Sequence, residues 1–452
     1  MTAPKRFPDR DEIAAIRAET EPLENGGSAE AERRIAGRAM ARREMGKLVF
    51  LDVVDRSGRI QAICDTAVTG EIEVHLGDVV GIVGKPAKSR RGEPSVLAES
   101  VEILSRNTQP LPDTFHGLTD VELRYRKRYL DLLMNDATRE VFLTRARIVS
   151  AIRRILDEWG FVEVETPILQ PRYGGAFARP FTTHHNELDA DLYLRIATEL
   201  YLKRLIVGGL ERVYEIGKDF RNEGVSFKHN PEFTMLEWYE AYADYNDVAE
   251  RAEKLVAGVA QDVGYAGDID FTPPWNRESL QDAIGSRTGI DVLAHRDLES
   301  LRTAIREAGY EVPDEETWAQ TVDQLLSKQV EPHLQEPTFL MDYPVELSPF
   351  AKRHRTTDGL VERWEVFAAG MEFGNAFSEL NDPDEQRRRF EEQRAAAEAG
   401  DEEAQPYDEA YIEALEHGMP PTGGIGIGID RLVMLLTGRR SIREVVLFPA
   451  MR

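Results

Sequence analysis

The sequence is poor in cysteine and has no long apolar segment. Its one cysteine, Cys64, excludes an internal disulfide and a cysteine-rich zinc site. No run of about 18 apolar residues is present, so we expect no transmembrane helix and no membrane partner. The first residues, MTAPKRFPDRDEIAAIRAETEP, contain no apolar core segment of the kind found in signal peptides. Together these absences predict a cytoplasmic protein.

Basic residues are also in short supply. Lys and Arg number 56 against 81 Asp and Glu, so the net charge is -25. This balance argues against sequence-independent nucleic-acid binding, which needs a broadly basic surface, although it allows a local basic patch. Two nucleotide-binding signatures are missing as well, the Gly-Lys-Ser/Thr P-loop and the helix-opening G-x-G-x-x-G fingerprint. A nucleotide must therefore be bound by a different architecture.

The chain is long enough for two or three domains with separate cores, at 452 residues and 42% apolar side chains. Residues 1–32 predict a helical and loose segment. Residues 33–108 contain about five short β-rich runs separated by turn residues, which is typical of a small Greek-key barrel such as the OB-fold. Basic residues cluster on its first predicted strand: Arg33, Arg34, Arg38, Arg42, Arg43 and Lys47. Such barrels often bind single-stranded nucleic acid; a purely structural barrel is the alternative.

Residues 109–136 predict a linker running into a charged helix, and residues 137–452 predict a larger α+β domain. This domain opens on an amphipathic helix, TREVFLTRARIVSAIRRILDEWG, which ends at Gly160. Strands then follow strands across short turns, which predicts an antiparallel sheet flanked by helices. The predicted strands are FVEVETPIL, DLYLRIATEL, RVYEIGKDF, FTMLEWYEAYA, TFLMDYP, LVERWEVFAAG and GGIGIGID. A helical segment, about residues 245–335, looks inserted into that sheet.

One hairpin loop, in FRNEGVSFKHNPEF, is unusually long and polar. Hairpin loops usually have about two to five residues, and longer ones tend to be functional. An arginine at the start of such a loop can grip phosphate or carboxylate with two N–H groups. The candidate residues are Arg221, Glu223, Lys228, His229, Asn230 and Phe233, the last placed to stack on a planar ring. An exposed hairpin with incidental charges is the alternative.

The C-terminal strand in PPTGGIGIGIDRLVMLLTG has one face without side chains. Gly424, Gly426 and Gly428 alternate with isoleucines, so a flat ligand can lie against the backbone. Asp430 is placed to cap the following helix, with Arg431 emerging in its first turn. Close backbone packing is the alternative explanation of the glycines.

Several carboxylates occupy strands of the predicted sheet. Glu365 and Glu372 flank an Ala-Ala-Gly turn, where two facing acids would need a cation such as a nucleotide-bound Mg²⁺. Further along, alternation predicts one shared face for Asn375, Phe377 and Glu379. With Glu199 and Glu237 on strands, and Tyr239 beside the latter, the pocket would favour a small ligand carrying positive charge. A surface ladder of carboxylates is the alternative.

The motifs together resemble a known family. The order of ETP, FRNEG…EF and GIGIGIDR is similar to the core of class II aminoacyl-tRNA synthetases. Longer stretches narrow the resemblance to class II lysyl-tRNA synthetases of the bacterial type: ELDADLYLRIATELYLKRLIVGGLERVYEIGKDFRNEG, NPEFTMLEWYEAYADY, GNAFSELNDP and the last segment through LFPAMR. The resemblance runs from about residue 33 to the last residue.

The resemblance implies ATP-dependent activation of L-lysine to lysyl-adenylate and its transfer to tRNA(Lys) by a homodimer. ATP would be bound by Arg221, Glu223, His229, Asn230, Phe233, Glu372 and Arg431, with the two arginines as the catalytic groups and Glu365 and Glu372 holding Mg²⁺. Lysine would be bound by Gly175, Glu199, Glu237, Tyr239, Asn375, Phe377 and Glu379. The anticodon would meet Arg43, Phe50 and Gln61 on the barrel, and the helix before ETP would form the dimer interface.

The sequence also departs from the family pattern. Thr198 stands where the family usually has proline, and AICDTAVTGEIEVHLGD lacks the helical excursion common in the barrel. Two rivals are a paralogue that attaches lysine or a related amino acid to a protein and a non-catalytic RNA-binding regulator. The paralogues generally lack the barrel and carry alanine at the position of Gly374, and the retained arginines and acids argue against a dead enzyme. An aspartyl or asparaginyl synthetase fits a ring of acids poorly.

Overall fold

The computed structural model describes residues 4–112, 118–176, 178–315, 317–398 and 405–451, and it divides into two compact units, Met1–Asn135 and Asp136–Arg452. No helix within these ranges has both the length and the apolar character needed to cross a bilayer. The first unit contains a closed five-stranded barrel with strand order β1-β2-β3-β5-β4. Its elements are α1 Ile13–Thr20, β1 Arg33–Met45, β2 Leu48–Val54, β3 Arg59–Asp65, α2 Thr66–Thr69, β4 Val79–Lys88, β5 Pro94–Ser105, α3 Val121–Arg126 and α4 Arg128–Met134.

The barrel closes around an apolar core that the strand alternation supplies. In β2 every second side chain is buried, including Leu51 and Val53, because neighbouring residues of a strand point to opposite faces. Helix α1 adds two fully buried isoleucines, Ile13 and Ile16, to this core. One detail differs from the prediction: AICDTAVTGEIEVHLGD, expected to lack a helical excursion, contains the four-residue α2, capped by Asp65. The charged helix predicted at the end of the 109–136 linker is present as two short helices, α3 and α4, and residues 113–117 of that linker lie outside the described residues.

The second unit is built on an eight-stranded sheet, order β12-β13-β14-β15-β16-β11-β10-β6, and a small three-stranded sheet, order β7-β9-β8. Its strands are β6 Val162–Glu163, β7 Leu169–Gln170, β8 Thr182–His185, β9 Ala190–Leu194, β10 Arg212–Phe220, β11 Glu232–Ala241, β12 Asn276–Ser279, β13 Thr338–Pro344, β14 Leu360–Ala368, β15 Met371–Ser378 and β16 Thr422–Gly428. Its helices are α5 Asp136–Glu158, α6 Glu199–Val207, α7 Tyr245–Asp262, α8 Leu280–Thr288, α9 Leu298–Glu307, α10 Trp318–Gln329, α11 Pro383–Glu398, α12 Glu409–Glu416, α13 Ile429–Thr437 and α14 Ile442–Val445.

Pairing in the large sheet is antiparallel except at its two edges, where β12 and β6 pair in parallel. Helices α5, α7 and α13 cover one face and bury a common core with the sheet, including Ile148, Trp238, Val256 and Leu432. A barrel together with a helix-flanked, mainly antiparallel sheet confirms the predicted α+β class. The glycine at the end of α5, Gly160, has a φ of 79°, a conformation that favours glycine and stops the helix.

Three predicted elements of this unit are wrong in detail. The strand FVEVETPIL is reduced to β6 and β7, because Pro167 between them cannot donate to a ladder. Residues 245–335 are not free of strands: β12 joins the sheet, and helix α7 belongs to the main core. Helices α8, α9 and α10 form a second apolar cluster with β13 and β14. DLYLRIATEL is a strand only through Leu194, since Glu199 begins a helix.

Candidate active site

A cavity of about 340 Å³ opens over the centre of the large sheet, between β11, β15 and β16 and the loop after β10. Every residue that the sequence predicted for the nucleotide, metal and amino-acid sites lines it. They are Gly175, Glu199, Arg221, Glu223, His229, Asn230, Phe233, Glu237, Tyr239, Glu365, Glu372, Asn375, Phe377, Glu379 and Arg431. The structure thus brings residues from five separate stretches of the sequence to one place: around 175, around 199, 221–239, 365–379 and around 431.

One end of the cavity is acidic and almost closed to solvent. Glu237 and Glu379 are 5% and 1% exposed, and Glu199 is 4% exposed. Both oxygens of Glu237 accept hydrogen bonds, Oε1 from the Thr198 backbone N–H at 3.1 Å and Oε2 from the Tyr239 hydroxyl at 3.1 Å. Burial raises the pKa of Glu237 to about 8, with further increases from nearby carboxylates. A buried acid of this kind gains most from a cationic ligand.

The glycine strand leaves room for these acids. Gly424 pairs with Tyr239 on one side and with Phe377 on the other. A Cβ placed on Gly424 would lie 2.1 Å from Oε1 of Glu379 and 2.4 Å from the Tyr239 ring. The side chain of Glu379 therefore packs over β16 at Gly424, where any residue with a Cβ atom would clash with it.

Glu199 is on a helix and not on a strand, so this part of the prediction is wrong. Thr198 already has helical dihedral angles, φ -95° and ψ -10°, and Glu199 is the first residue of α6. The i,i+4 spacing of a helix then brings Lys203 back to Glu199, at 2.5 Å between Nζ and Oε1. Lys203 is fully buried and also lies 2.5 Å from Oε2 of Glu379. Its spacing from Glu199 would have identified it, had the segment been read as a helix.

The opposite end of the cavity carries guanidinium groups. Arg221, at the start of the long hairpin loop, lies over the ring of Phe233, 5.1 Å from its centroid. Arg431, in the first turn of α13, donates 2.8 Å hydrogen bonds to the backbone oxygen and a carboxylate oxygen of Glu372. Such an array suits the oxygens of a phosphate chain.

The hairpin loop is held by its own polar side chains. His229 Nδ1 lies 2.8 Å from the Ser226 hydroxyl, and Asn230 accepts a 3.0 Å hydrogen bond from the Ala450 backbone N–H. Burial and the charges of Arg431 and Lys228 lower the pKa of His229 to about 4. The imidazole is therefore neutral at physiological pH and adds no further positive charge beside the arginines.

The two acids predicted to hold a cation do line the same cavity, but they do not face each other across the hairpin. Glu365 pairs with Asn375, and a bulge after Val366 places Glu372 opposite Phe367. Glu365 accepts hydrogen bonds from Tyr343 at 2.8 Å and from Arg363 at 2.5 Å. Burial raises its pKa to about 7, with Arg363 opposing and Glu372 adding to the rise. Among the described residues no three His, Cys, Asp or Glu side chains form a metal cluster.

Arg363 is a cavity residue that the sequence analysis missed. Besides Glu365, its guanidinium donates to Asn375 at 3.1 Å and to Ser348 at 2.9 Å, and it lies 5.5 Å from the Phe377 ring centroid. The alternation of β14 places it on the same face as Glu365. That parity was the available signal.

Asp430 does not cap α13. Gly428 occupies the N-cap position, and Asp430 lies in the first turn because the helix follows β16 without a connecting loop. Its carboxylate instead accepts hydrogen bonds from the Thr234 backbone N–H at 2.8 Å and from Arg145 at 2.6 Å. Asp430 therefore ties α13 to β11 and α5 beside the cavity.

The barrel carries the three residues predicted to contact nucleic acid on one face. Arg43 pairs with Phe50, and its guanidinium lies 5.9 Å from the Phe50 ring centroid. Asp52, two residues after Phe50, pairs with Gln61 and lies 3.7 Å from Arg43. Phe50 is half-buried and Gln61 is 7% exposed, so Arg43 is the most accessible of the three predicted residues.

Comparisons with known proteins agree with this geometry. A family model described as tRNA synthetases class II (D, K and N) matches residues 120–452, and one described as an OB-fold nucleic acid binding domain matches residues 34–104. The chain therefore belongs to the class II tRNA synthetases of the D, K and N group.

Within this family the chain is similar to proteins named lysine--tRNA ligase. It is 54% identical over 433 residues to that of Roseiflexus sp. (strain RS-1), covering 92% of this chain and 88% of the relative. It is 51% identical over 464 residues to that of Synechococcus sp. (strain CC9311), covering 99% and 94%. For Moorella thermoacetica (strain ATCC 39073 / JCM 9320) the identity is 52% over 431 residues, covering 92% and 88%.

Proposed function

We propose that the protein is a lysine--tRNA ligase, which activates L-lysine with ATP and transfers it to tRNA(Lys). The observation that carries this proposal is the polarity of the cavity: guanidinium groups at one end, and three buried carboxylates with a tyrosine at the other. The first end suits a triphosphate, and the second suits an amino acid with a cationic side chain. An anionic amino acid, as the D members of the family would take, is disfavoured by the same carboxylates.

The cavity supports specific roles for its residues. Arg221 and Arg431 bind the phosphates of ATP, and the adenine stacks on Phe233, with Glu223, His229 and Asn230 around it. The ε-ammonium of lysine meets Glu237, Glu379 and Tyr239, while the α-ammonium meets Glu199 and the backbone of Gly175. Asn375 and Phe377 shape the wall between the two ends.

Activation then needs alignment and charge neutralisation more than proton transfer. A carboxylate oxygen of lysine attacks the α-phosphorus, and the bond to the bridging oxygen breaks, so that lysyl-adenylate and pyrophosphate form. Lysine enters with its carboxyl group already ionised, so no general base is required to activate it. His229 is neutral and adds no charge beside the phosphates. The guanidinium groups offset the negative charge that builds up on the transferring phosphate. In the second step a ribose hydroxyl of the tRNA attacks the carbonyl and AMP leaves.

Glu365 and Glu372 fit a magnesium ion. Their two carboxylates line one cavity, and Glu372 adds to the rise that burial causes in the pKa of Glu365, so a cation beside both acids would stabilise their ionised forms. Magnesium commonly takes one or two protein carboxylates and completes its shell with phosphate oxygens and water. Bound there, it would neutralise phosphate charge. The side chains of Arg363 and Tyr343 orient Glu365 for that purpose.

A homodimer is part of the proposal. Helix α5 and the segment from β6 to β7 expose apolar side chains that a monomer would leave in water: Leu143, Val162, Ile168 and Leu169 are 43% to 51% exposed. Burial of such a patch against a second copy would be favourable. We expect a dimer in light scattering and a monomer when Val162 and Leu169 are both replaced by glutamate.

The test of the proposed function is amino-acid-dependent exchange between ATP and pyrophosphate, measured with a panel of amino acids and followed by charging of tRNA(Lys). We expect exchange with lysine and charging of the tRNA. Exchange without charging would instead favour a paralogue that attaches lysine to a protein. A lack of exchange with every amino acid would favour an RNA-binding regulator, and either result would overturn the proposal.

A further inference from the structure

Lys203 is a positively charged residue inside the pocket proposed for a positively charged substrate. Its side chain is fully buried, and its ammonium lies 2.5 Å from Oε1 of Glu199 and 2.5 Å from Oε2 of Glu379. The rings of Phe350 and Tyr239 lie 5.4 and 5.9 Å from it. A lysine that only offset the negative charge of the protein surface would be exposed to solvent. The buried ammonium of Lys203 instead interacts directly with Glu199 and Glu379.

We propose that Lys203 is a positioning residue that holds one oxygen each of Glu199 and Glu379, favours the ionised form of both acids, and so matches the pocket to a substrate with two ammonium groups. The inference rests on the proposed function, since it concerns the lysine site. It adds a residue for which the resemblance implied no role.

Glu199 and Glu379 each direct one carboxylate oxygen toward Lys203 and leave the other for an ammonium group of the ligand. Oε1 of Glu199 and Oε2 of Glu379 face Lys203, which leaves the other oxygen of each for a ligand. Among the described residues neither buried oxygen of Glu379 has a hydrogen bond; Oε2 has its ion pair with Lys203, and Oε1 has no partner. Oε2 of Glu199 lies toward Gly175, at the wall of the cavity. Oε1 of Glu379 and Oε2 of Glu199 can therefore each accept a hydrogen bond from a ligand.

The charge count of the pocket points the same way. Glu199, Glu237 and Glu379 carry three negative charges when ionised, and Lys203 compensates one of them. Two remain, which equals the number of ammonium groups in lysine. Glu237 is not shared with Lys203, because Thr198 and Tyr239 hold its oxygens. Without Lys203, three buried acids would repel and retain protons at neutral pH.

Arg363 is a second cation that favours the ionised form of Glu199, but its influence is smaller than that of Lys203. The charge of Lys203 is favoured by Glu199 in α6, by Glu379 just after β15 and by Tyr411 in α12, and burial opposes it. Burial in turn raises the pKa of Glu379 to about 8, and Lys203 is the largest influence that lowers it.

The experiment compares Lys203→Met with the wild type in ATP–pyrophosphate exchange between pH 6 and 8.5, with Lys218→Met as the control. Lys218 is 39% exposed and pairs at 3.9 Å with the exposed Glu232. In Lys203→Met we expect the KM for lysine at pH 7 to rise about 100-fold, with the KM for ATP changed less than about threefold. The rise should shrink as the pH increases, because the unpaired acids then lose their protons. Lys218→Met should behave as wild type.

The outcomes separate the two proposals. A wild type without lysine-dependent exchange overturns the proposed function. An active wild type with an unchanged lysine KM and pH profile in Lys203→Met overturns the positioning role, as would equal increases in both KM values, which a merely structural role predicts. If Lys203→Met does not fold, Lys203→Gln, which keeps hydrogen-bonding capacity without charge, must show the same lysine-specific, pH-dependent defect.

Discussion

The hydroxyl of Tyr239 donates a 3.1 Å hydrogen bond to Oε2 of Glu237, two residues earlier on the same face of β11. With the Thr198 backbone N–H on the other oxygen, the carboxylate is held in one orientation before any ligand binds. Preorganisation of this kind lowers the ordering cost of binding. The same bond links the acid to the glycine strand, because Tyr239 pairs with Gly424.

The first prediction concerns the charge of Glu237. Glu237→Gln keeps the shape but leaves the ε-ammonium of lysine without its buried anion, a loss worth about 3–5 kcal/mol. We expect the kcat/KM for lysine in ATP–pyrophosphate exchange to fall by about 100-fold or more, with ATP binding retained in calorimetry. Glu232→Gln, an exposed change on the same strand, is the control. Full lysine activation by Glu237→Gln would remove this carboxylate from the substrate site.

The second prediction tests the packing of Glu379 over the glycine strand. In Gly424→Ala the new methyl group would clash with Glu379 and Tyr239, so both must shift. Overpacking of this size costs about 1–3 kcal/mol, and we expect the lysine KM to rise about 10- to 100-fold. Gly285→Ala, in the middle of α8 with its nearest neighbouring atom at 3.8 Å, should leave activity unchanged. Wild-type lysine kinetics in Gly424→Ala would contradict the steric argument.

The third prediction concerns the planar guanidinium of Arg431. One nitrogen, Nη1, already bonds Glu372, and the rest of the fork remains for phosphate oxygens. Lysine at this position keeps the charge but loses the two-pronged geometry. For Arg431→Lys we expect kcat for exchange to fall about 100-fold, with little change in lysine affinity measured by calorimetry. Arg439→Lys, two residues after the end of α13, is the control and should have activity close to wild type. Equal losses of kcat in both variants would argue against a role specific to Arg431.

The sequence predicted the cavity better than it predicted the backbone around it. Strand parity was sufficient to group Glu237 with Tyr239 and Asn375 with Phe377, because alternation survives small errors in strand ends. It failed where the secondary structure changed within a few residues. Glu199 was assigned to a strand since IATEL reads as extended, and the error concealed Lys203.

Other misses have different physical causes. The bulge after Val366 shifts the pairing of Glu365 and Glu372, and a bulge depends on sheet twist that no local pattern reports. The strand β12 is four residues long and follows a helical region, so its pairing with β13 is a tertiary effect. The barrel, in contrast, was predictable because its strands are separated by strong turn residues.

The fourth prediction separates the barrel from the catalytic cavity. Stacking of a base on an aromatic ring is worth about 1–3 kcal/mol, so Phe50→Ala should raise the KM for tRNA(Lys) about 5- to 100-fold in aminoacylation assays. ATP–pyrophosphate exchange should not change, because it needs no tRNA. Lys85→Ala, on β4 and paired with Glu99, is the control. A loss of exchange in Phe50→Ala, or no effect on charging, would contradict the assignment of this face to the anticodon.

The fifth prediction follows from the protons that the empty pocket retains. The pKa values of Glu237 and Glu379 are about 8 in the folded chain, raised by burial from an ordinary value of 4.5. Between these pH values the folded chain holds protons that the unfolded chain has lost, so their contribution to the free energy of unfolding falls as the pH rises from about 5 to 8. Lysine supplies ammonium groups to the ionised acids and should reverse this loss.

We therefore expect lysine to raise the melting temperature more at pH 8 than at pH 6, as measured by differential scanning fluorimetry with saturating lysine. Glu237→Gln should weaken this pH dependence, because one of the two titrating acids is gone. Norleucine, which lacks the ε-ammonium, is the matched ligand control and should show no comparable increase with pH. A lysine-induced shift that is equal at both pH values in the wild type would mean that the acids are already ionised in the empty pocket, and burial would then not govern their protonation.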